Sequence, residues 1–435
     1  MTDAKDTVSA WLDAHCGELY DFARDLVRVP SVTPWFGGEP EFMREGDVQS
    51  KLAAKLSALG GEIDLWEPDA EALAGYEGKP GYYAGRDFTG RPNLAAVFPG
   101  SGGGRSLLLL GHADVVPAAT GWTREPFAGE IDDGWLYGRG SVDMKGGIAA
   151  MIFALEAILA SGLDPKGKII VGSVVDEEAG GMGTLAFVDR GYLADAGLMT
   201  EPTGLKVGNH CHGILWGKLH IPGRGGHIEL PRAHWRRGGA VDAIDKARLF
   251  LDFFERWNAD WRFWRWHPYA PKPCEIHAAQ VASGEFPTSY AGSATITFNV
   301  QYLPGERDGN NSGGAVKVWL EEEFRRVAET DPWLREGPPT VEWMVDADCA
   351  EVSPEHPFVA CLSRSLETLG LPGEIEGNTS HTDIGWFVNS GVAMLNFGPG
   401  ETRLAHQADE RVSLTDLLKS AKAIAGLIVE WCGVA

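Results

Sequence analysis

Eight side chains stand where metal-assisted chemistry could be done. The apolar run SLLLL leads into Gly111, His112, Ala113 and Asp114; KIIVGSVV ends in Asp176, Glu177 and Glu178; GLMT ends in Glu201. Asp143 opens a stretch that turns helical near Gly146, and His406 lies between the FGPG run and the last helical segment. Imidazole and carboxylate without thiolate suit Zn, Mn or Co rather than Ca or an iron–sulfur cluster. The i, i+2 spacing of His112 and Asp114 can put a carboxylate behind the ring, where it fixes the tautomer. Neighbouring residues at a strand end point different ways, so of Glu177 and Glu178 one can bind metal while the other faces a metal-bound water. The glycines that follow, AGGMG, permit close backbone approach. Taken singly, a histidine after a strand is more often a hydrogen-bonded or surface residue, and a Glu-Glu pair more often a solvated loop. Their convergence on several strand ends outweighs that reading.

The elements that must position them follow from the pattern of apolar runs. Strand-like runs at 93–98, 106–110, 168–175 and 197–200 alternate with helical stretches such as 148–159. This alternation predicts a largely parallel sheet covered on both faces, in which ligand-binding groups collect at the carboxyl ends of the strands. Ahead of it, Val8, Leu12, Leu19, Phe22 and Leu26 predict one long amphipathic helix over about 7–29, stopped by Pro30. GSGGGR at 100–105 reads as a hairpin-like loop. After His212 the texture changes to strand GILWGKLHIPG, helix 240–257, alternating strand SATITFNVQYLPG and helix 315–327, a two-layer unit. The last quarter returns to the earlier style with a helix near 356–369, the strand GVAMLNFGPG and a closing helix. The predicted fold is α/β: a mostly parallel catalytic domain of residues 1–212 and 347–435, interrupted by a two-layer α+β lid at 213–346.

Composition narrows the function. A chain of 435 residues, 44% hydrophobic and 23% charged, is not wholly disordered. A net charge of -23 argues against nucleic acid or anionic lipid as partner and leaves small molecules, cations or proteins. The six cysteines form no C-x-x-C pair, which indicates a reducing compartment. MTDAKDTVSAWLDAH has no basic and apolar leader pattern, and no run of about 18 apolar residues occurs. The expectation is a soluble, cytoplasmic protein with a small-molecule substrate and no membrane partner.

GHADVVP, YGRGSVDMKGG, VVDEEAGG, TEPTG and AHQADERVSL follow one another along nearly the whole chain. In that order they resemble the M20 family of metallopeptidases and amidohydrolases, which includes acetylornithine deacetylase, succinyl-diaminopimelate desuccinylase and carboxypeptidase G2. DPWLREGPP, VEW and the terminal EWCG look most like the acetylornithine deacetylase-related branch. The resemblance implies two divalent metal ions, zinc first with manganese or cobalt as alternatives, bridged by Asp143. It implies His112 and Glu201 on one metal, Glu178 and His406 on the other, Asp114 orienting His112, and Glu177 as general base. His227, in GRGGHIELP, matches the family's lid histidine, which reaches the partner subunit's active site and stabilises the oxyanion; a homodimer through the lid is implied.

The pattern departs in two places. Many relatives carry arginine in the lid strand before the Pro-Gly turn, where it can hold a substrate carboxylate; FNVQYLPGE places Gln301 there, and an amide lacks that charged fork. GNTSHTDIGWF sets His381 and Asp383 beside Ser380, too close in sequence for a serine triad, and reads as a substrate-facing loop. Gln301, His381 and Asp383 are therefore candidate substrate contacts. His210, His212 and His234 read as polar residues of the crossover and lid surface. The aromatics from Phe250 to Trp264 follow helical spacing and read first as a buried stripe or dimer interface, and second as an aromatic pocket. Three functions follow: hydrolysis of the amide of a small N-acyl amino acid-like or dipeptide-like compound; hydrolytic deamination of an aromatic amine, as by a nitroanthranilate aminohydrolase; or a metal-stabilised binding protein.

Overall fold

In the computed structural model, which describes residues 2–435, α1 (Thr2–Ala14), α2 (Cys16–Val27) and α3 (Glu45–Ala58) precede β1 (Glu62–Trp66), β2 (Asn93–Phe98) and β3 (Leu107–His112). The chain continues through β4 (Glu130–Asp132), β5 (Trp135–Tyr137), α4 (Gly146–Ala160), β6 (Ile169–Val174), α5 (Met182–Asp189), β7 (Ala196–Met199) and β8 (His210–Cys211). An insert follows: β9 (Gly213–Pro222), β10 (Gly226–His227), α6 (Ala243–Trp261), β11 (Ile276–Ser283), β12 (Ser289–Tyr290), β13 (Ser293–Tyr302), α7 (Gly314–Glu329), α8 (Pro332–Glu336) and β14 (Thr340–Ala347). The chain closes with β15 (Ala350–Glu351), α9 (Pro357–Glu367), α10 (Ile384–Asn389), β16 (Ala393–Asn396), β17 (Arg411–Ser413) and α11 (Leu414–Trp431).

The main sheet runs β1-β2-β6-β3-β7-β16, with β6, β3, β7 and β16 mutually parallel and β2 antiparallel to both its neighbours. β3 explains why its sequence is continuously apolar: Leu107 and Leu109 join the core under α1, α2, α4 and α11, while Leu108 and Leu110 join Phe187, Ile384 and Phe387 on the opposite face. Full burial of each leucine contributes roughly 1.5–3 kcal/mol. At the start of α4 the packing demands glycine, since a Cβ on Gly147 would sit 2.1 Å from the Thr200 carbonyl. That close approach draws the turn carrying Asp143 toward Glu201.

Two sequence expectations change. The opening helix is broken at His15, whose backbone leaves the helical region (φ -113°, ψ 16°) while its ring bonds the Trp11 carbonyl at 2.8 Å and stacks on the Trp11 indole. Leu12 and Leu19 stay in the same core across the break, so the apolar spacing does not register it. GSGGGR does not close a hairpin, because β6 lies between β2 and β3. The loop instead crosses the segment entering β6, with the amides of Ser101 and Gly102 donating to the carbonyls of Pro165 and Lys166.

The insert is a four-stranded antiparallel sheet, β11-β13-β9-β14, with α6 and α7 on one face around a separate core. Alternation along β9 puts Leu215, Leu219 and Ile221 into that core and turns Ile214 and Trp216 to the other face. Phe250, Phe254 and Trp261 of the aromatic stripe are buried there, while Phe263, Trp264 and Trp266 beyond the helix are exposed. His234 is exposed, but His210 and His212 are fully buried rather than surface residues. His210, on the β8–β15 ribbon, stacks on His267 with ring centroids 3.5 Å apart. Among the described residues no helix is long and apolar enough to cross a membrane.

Candidate metal centre

Because β6, β3 and β7 are adjacent and parallel, their carboxyl ends deliver Glu177 and Glu178, His112, and Glu201 to one edge of the sheet. Asp143 comes from the 141–145 turn before α4. His406 comes from the loop after β16, aimed by a left-handed backbone (φ 61°) that costs a non-glycine residue about 1–2 kcal/mol. Asp143 stands between the two histidines: Oδ1 lies 3.1 Å from His112 Nε2 and Oδ2 lies 3.2 Å from His406 Nε2. Glu201 Oε1 is 3.7 Å from His112 Nε2, and Glu178 Oε2 is 3.2 Å from His406 Nε2. Ligand atoms of His112, Asp143 and Glu201 lie within 4.8 Å of one another, as do those of Asp143, Glu178 and His406.

The donor set fits two divalent cations sharing Asp143. Glu178 Oε1 and Glu201 Oε1 are buried without a hydrogen-bond partner, a state that a cation would resolve. The Glu178 carboxylate raises His406 to about 11 against the effect of burial. Burial works to lower His112, yet its bond to Asp143 and the charges of Glu177 and Glu201 keep it well above its usual value. Burial drives Glu201 well up, with Asp143 adding to the rise. Burial likewise drives Glu177 well up, helped by Asp383. Asp143 goes the other way: burial would raise it, but its bonds to both histidines hold it far below the usual carboxylate range.

The support behind these groups differs from the expectation for Asp114. The His112 ring is held by the main-chain carbonyl of Asp114, 2.9 Å from Nδ1, with the carboxylate at 3.6 Å. The Asp114 carboxylate instead accepts the backbone N–H groups of Glu177 (3.2 Å) and Glu178 (3.1 Å). Burial pushes this carboxyl well up, His112 pulls against it, and Glu45 and Glu178 add to the rise. Glu410, paired in the interior with Arg139, accepts the N–H groups of Val142 and Asp143 and so ties the Asp143 turn to the segment bearing His406. Asp176, also left-handed (φ 71°), receives Arg86 and Arg91 and anchors the Glu177–Glu178 turn from behind. Arg139 and Glu410 lie inside the YGRGSVDMKGG and AHQADERVSL motifs, and that membership is the signal the sequence offers for them. Nothing in the sequence marks Arg86 or Arg91 for this task.

A cavity of about 390 Å³ opens on the centre, lined by Glu177, Glu178 and His406 on one side and by Trp216, Asn299 and Gln301 of the insert on the other. His381 lines it too, its Nδ1 2.8 Å from the Asp348 carbonyl and its Nε2 3.2 Å from Asp383, whose other oxygen takes the Thr184 hydroxyl. Glu177, His381 and Asp383 form a third close group. The Gln301 amide is engaged within the protein, donating to the Thr379 carbonyl and accepting from Glu275 N–H. His227 is exposed on the β10–β12 ribbon and does not line this cavity. Its Nδ1 accepts from Glu229 N–H at 3.2 Å, which leaves the proton on Nε2 as an outward donor.

Comparison with known proteins is consistent with this centre. N-formyl-4-amino-5-aminomethyl-2-methylpyrimidine deformylase of Bacillus subtilis is 27% identical over 440 residues, covering 97% of this chain and 96% of the relative. The solved structure of a di-peptidase from Saccharomyces cerevisiae matches with a TM-score of 0.75 at 16% identity, over 99% of each chain. A Bacillus subtilis protein described as a dinuclear metal binding peptidase of the M20 family matches with a TM-score of 0.60 at 16% identity, over 96% of this chain and 98% of that one. The family model for peptidase family M20/M25/M40 matches residues 108–430, the span that carries every proposed ligand. The chain therefore belongs to peptidase family M20/M25/M40, as a metal-dependent hydrolase of C–N bonds.

Proposed function

We propose that this enzyme hydrolyses the amide of a small N-acyl compound, with residues 1–212 and 347–435 as the catalytic unit and 213–346 as its lid. The observation that carries this is the placement of Asp143, each of whose oxygens faces a different histidine, with Glu177 beside the pair. His112 and Glu201 would hold one cation and Glu178 and His406 the other, zinc being the first choice. Bound there, the cations would polarise the carbonyl and acidify a water toward neutrality. Glu177, whose raised affinity for protons follows from burial, takes the proton from the attacking water. The C–N bond then breaks, the water oxygen becomes part of the released carboxylic acid, and Glu177 passes its proton to the leaving nitrogen. The formyl group in the relative's name suggests a small acyl group.

The oxyanion donor is proposed to be His227 of a partner subunit. The outer strand β11, exposed beyond Ile276, is an unpaired edge on which two inserts could join. Six unpaired cysteines, five of them buried, support a reducing, cytoplasmic setting.

The test is turnover of stripped protein reconstituted with Zn, Mn or Co on N-formyl and N-acetyl amines, N-acyl amino acids, dipeptides and aromatic amines. Metal-dependent release of a carboxylic acid with an amine is expected, and Glu177→Gln should retain metal while losing about 10²- to 10⁴-fold in kcat. Ammonia from an aryl amine as the sole product, or an unchanged Glu177→Gln, would overturn the proposal.

A further inference from the structure

We infer that the amine side of the substrate carries an uncharged planar ring, held by Trp216 and Asn299, rather than a carboxylate; this rests on the amide-hydrolase reading above. In the register of β9 with β13, Trp216 lies directly opposite Asn299, and Gln301 opposite Ile214. Residues paired in this way project from the same face, so the indole and the amide stand side by side on the surface that looks toward Glu177 and Glu178. Phe36, from the turn after α2, lies against Trp216 with ring centroids 6.4 Å apart and planes tilted by 44°. With Val116 and Ile214 these rings make an apolar wall, the surface on which a flat ring gains offset or edge-on aromatic contact.

The polar groups of the wall point the same way. Trp216 Nε1 is buried with no hydrogen-bond partner, and a donor in that state favours a ligand that brings an acceptor. The Asn299 side chain makes no hydrogen bond among the described residues, so both its donor and its acceptor are free for a ring nitrogen or an exocyclic amino group. Gln301, by contrast, is spent on Thr379 and Glu275.

Charge favours the ring over a carboxylate. No lysine or arginine lines the cavity. His406 is directed at Asp143 and Glu178, and both nitrogens of His381 face oxygens of the protein. Arg86, in the neighbouring wall, is bound to Asp176. A carboxylate on the amine side would find no free cationic side chain along the Trp216–Asn299 wall, which leaves its desolvation there unpaired except by the cations of the centre itself, engaged with the scissile carbonyl.

The experiment compares metal-loaded enzyme on the N-formyl derivative of an (aminopyridinyl)methylamine with N-formylglycine. The ring substrate should be preferred, and Asn299→Ala and Trp216→Phe should each lower that preference about three- to tenfold, chiefly through KM, as expected for one lost hydrogen bond. Trp216→Phe keeps an aromatic ring while removing the N–H and the second ring of the indole, so Asn299→Ala, which leaves the aromatic wall intact, guards against a folding defect. Calorimetric binding of the free (aminopyridinyl)methylamine, wild type against Asn299→Ala, gives a readout independent of turnover. Preference for N-formylglycine, or equal losses on both substrates with unchanged amine binding, overturns the inference and leaves amide hydrolysis standing. Absence of any amide hydrolysis, with amine binding still weakened by Asn299→Ala, overturns the amide-hydrolase reading and leaves the ring site standing.

Discussion

Replacing Asp114 by asparagine tests whether the carboxylate holds the strand end that carries Glu177 and Glu178, the proposed base and a proposed ligand. Asp114 is fully buried, and each oxygen accepts one backbone N–H, from Glu177 at 3.2 Å and Glu178 at 3.1 Å. An amide of the same shape offers one acceptor and one NH₂, so in either orientation one peptide N–H faces another donor. A hydrogen bond to a charged group contributes about 1.5–3 kcal/mol, and a buried donor left unpaired costs about 1–3 kcal/mol. These overlap, because both describe the same lost bond, and the surviving bond also weakens when its acceptor becomes neutral. The expected destabilisation of Asp114→Asn is about 2–4 kcal/mol. The released turn also moves the Glu177 carboxylate, and a displacement of about 1 Å lowers kcat about 10²-fold. Urea unfolding at a fixed excess of metal reads the first quantity, and saturating-substrate turnover the second. A variant within about 0.5 kcal/mol of the parent and within twofold in kcat would refute the clamp and return Asp114 to the role of aligning His112.

Two further outcomes follow. Burial, with the neighbouring His267 and His212, holds His210 down to about 2, and burial holds His212 down to about 4. Both are neutral in the folded protein, while the unfolded chain takes up protons below about 6.5. Their stabilising effect is therefore complete above that pH and is lost as pH falls toward about 4 and below. Between pH 6.5 and 5 each should cost about 2 kcal/mol; urea midpoints that shift equally in the parent and in His210→Gln would contradict this. His227→Ala should keep its metal but lose about 10²- to 10³-fold in kcat, and mixing it with Glu177→Gln should restore activity through heterodimers that hold one intact site. No recovery after subunit exchange would place the oxyanion donor within a single chain.

Much of the centre was legible because its residues follow buried strands. A strand covered on both faces must be continuously apolar, so LLLL before His112 and IIVGSV before Asp176 announce where parallel strands end, and parallel strands end on one edge. Asp143 and His406 carry no such periodic signal: their places before a helix and in the loop ahead of the last one mark them as candidates, and their assignment to particular metals comes from the motif resemblance. The break at His15 leaves no mark in the pattern because Leu12 and Leu19, seven residues apart across it, keep a helical spacing and enter the same core. The aromatic stripe of α6 packs Phe250, Phe254 and Trp261 into the core of the insert, as helical spacing predicts for a buried face, while Trp264 beyond the helix is exposed. The aromatic wall of the cavity arose elsewhere, from Phe36 and Trp216, which lie far apart in the chain and share no period.

By itself the sequence determined the α/β class, the strand ends and the inventory of imidazole and carboxylate groups, because burial writes local periodicity into residue order. Only the tertiary structure decided which groups work together. Strand order put β6 between β2 and β3, the Asp114 carboxylate went to two peptide N–H groups, and Gln301 was spent on the protein while Trp216 and Asn299 were left free. Those choices depend on register and on contacts between distant segments, where a shift of one residue turns every side chain of a strand to the other face and leaves its composition unchanged.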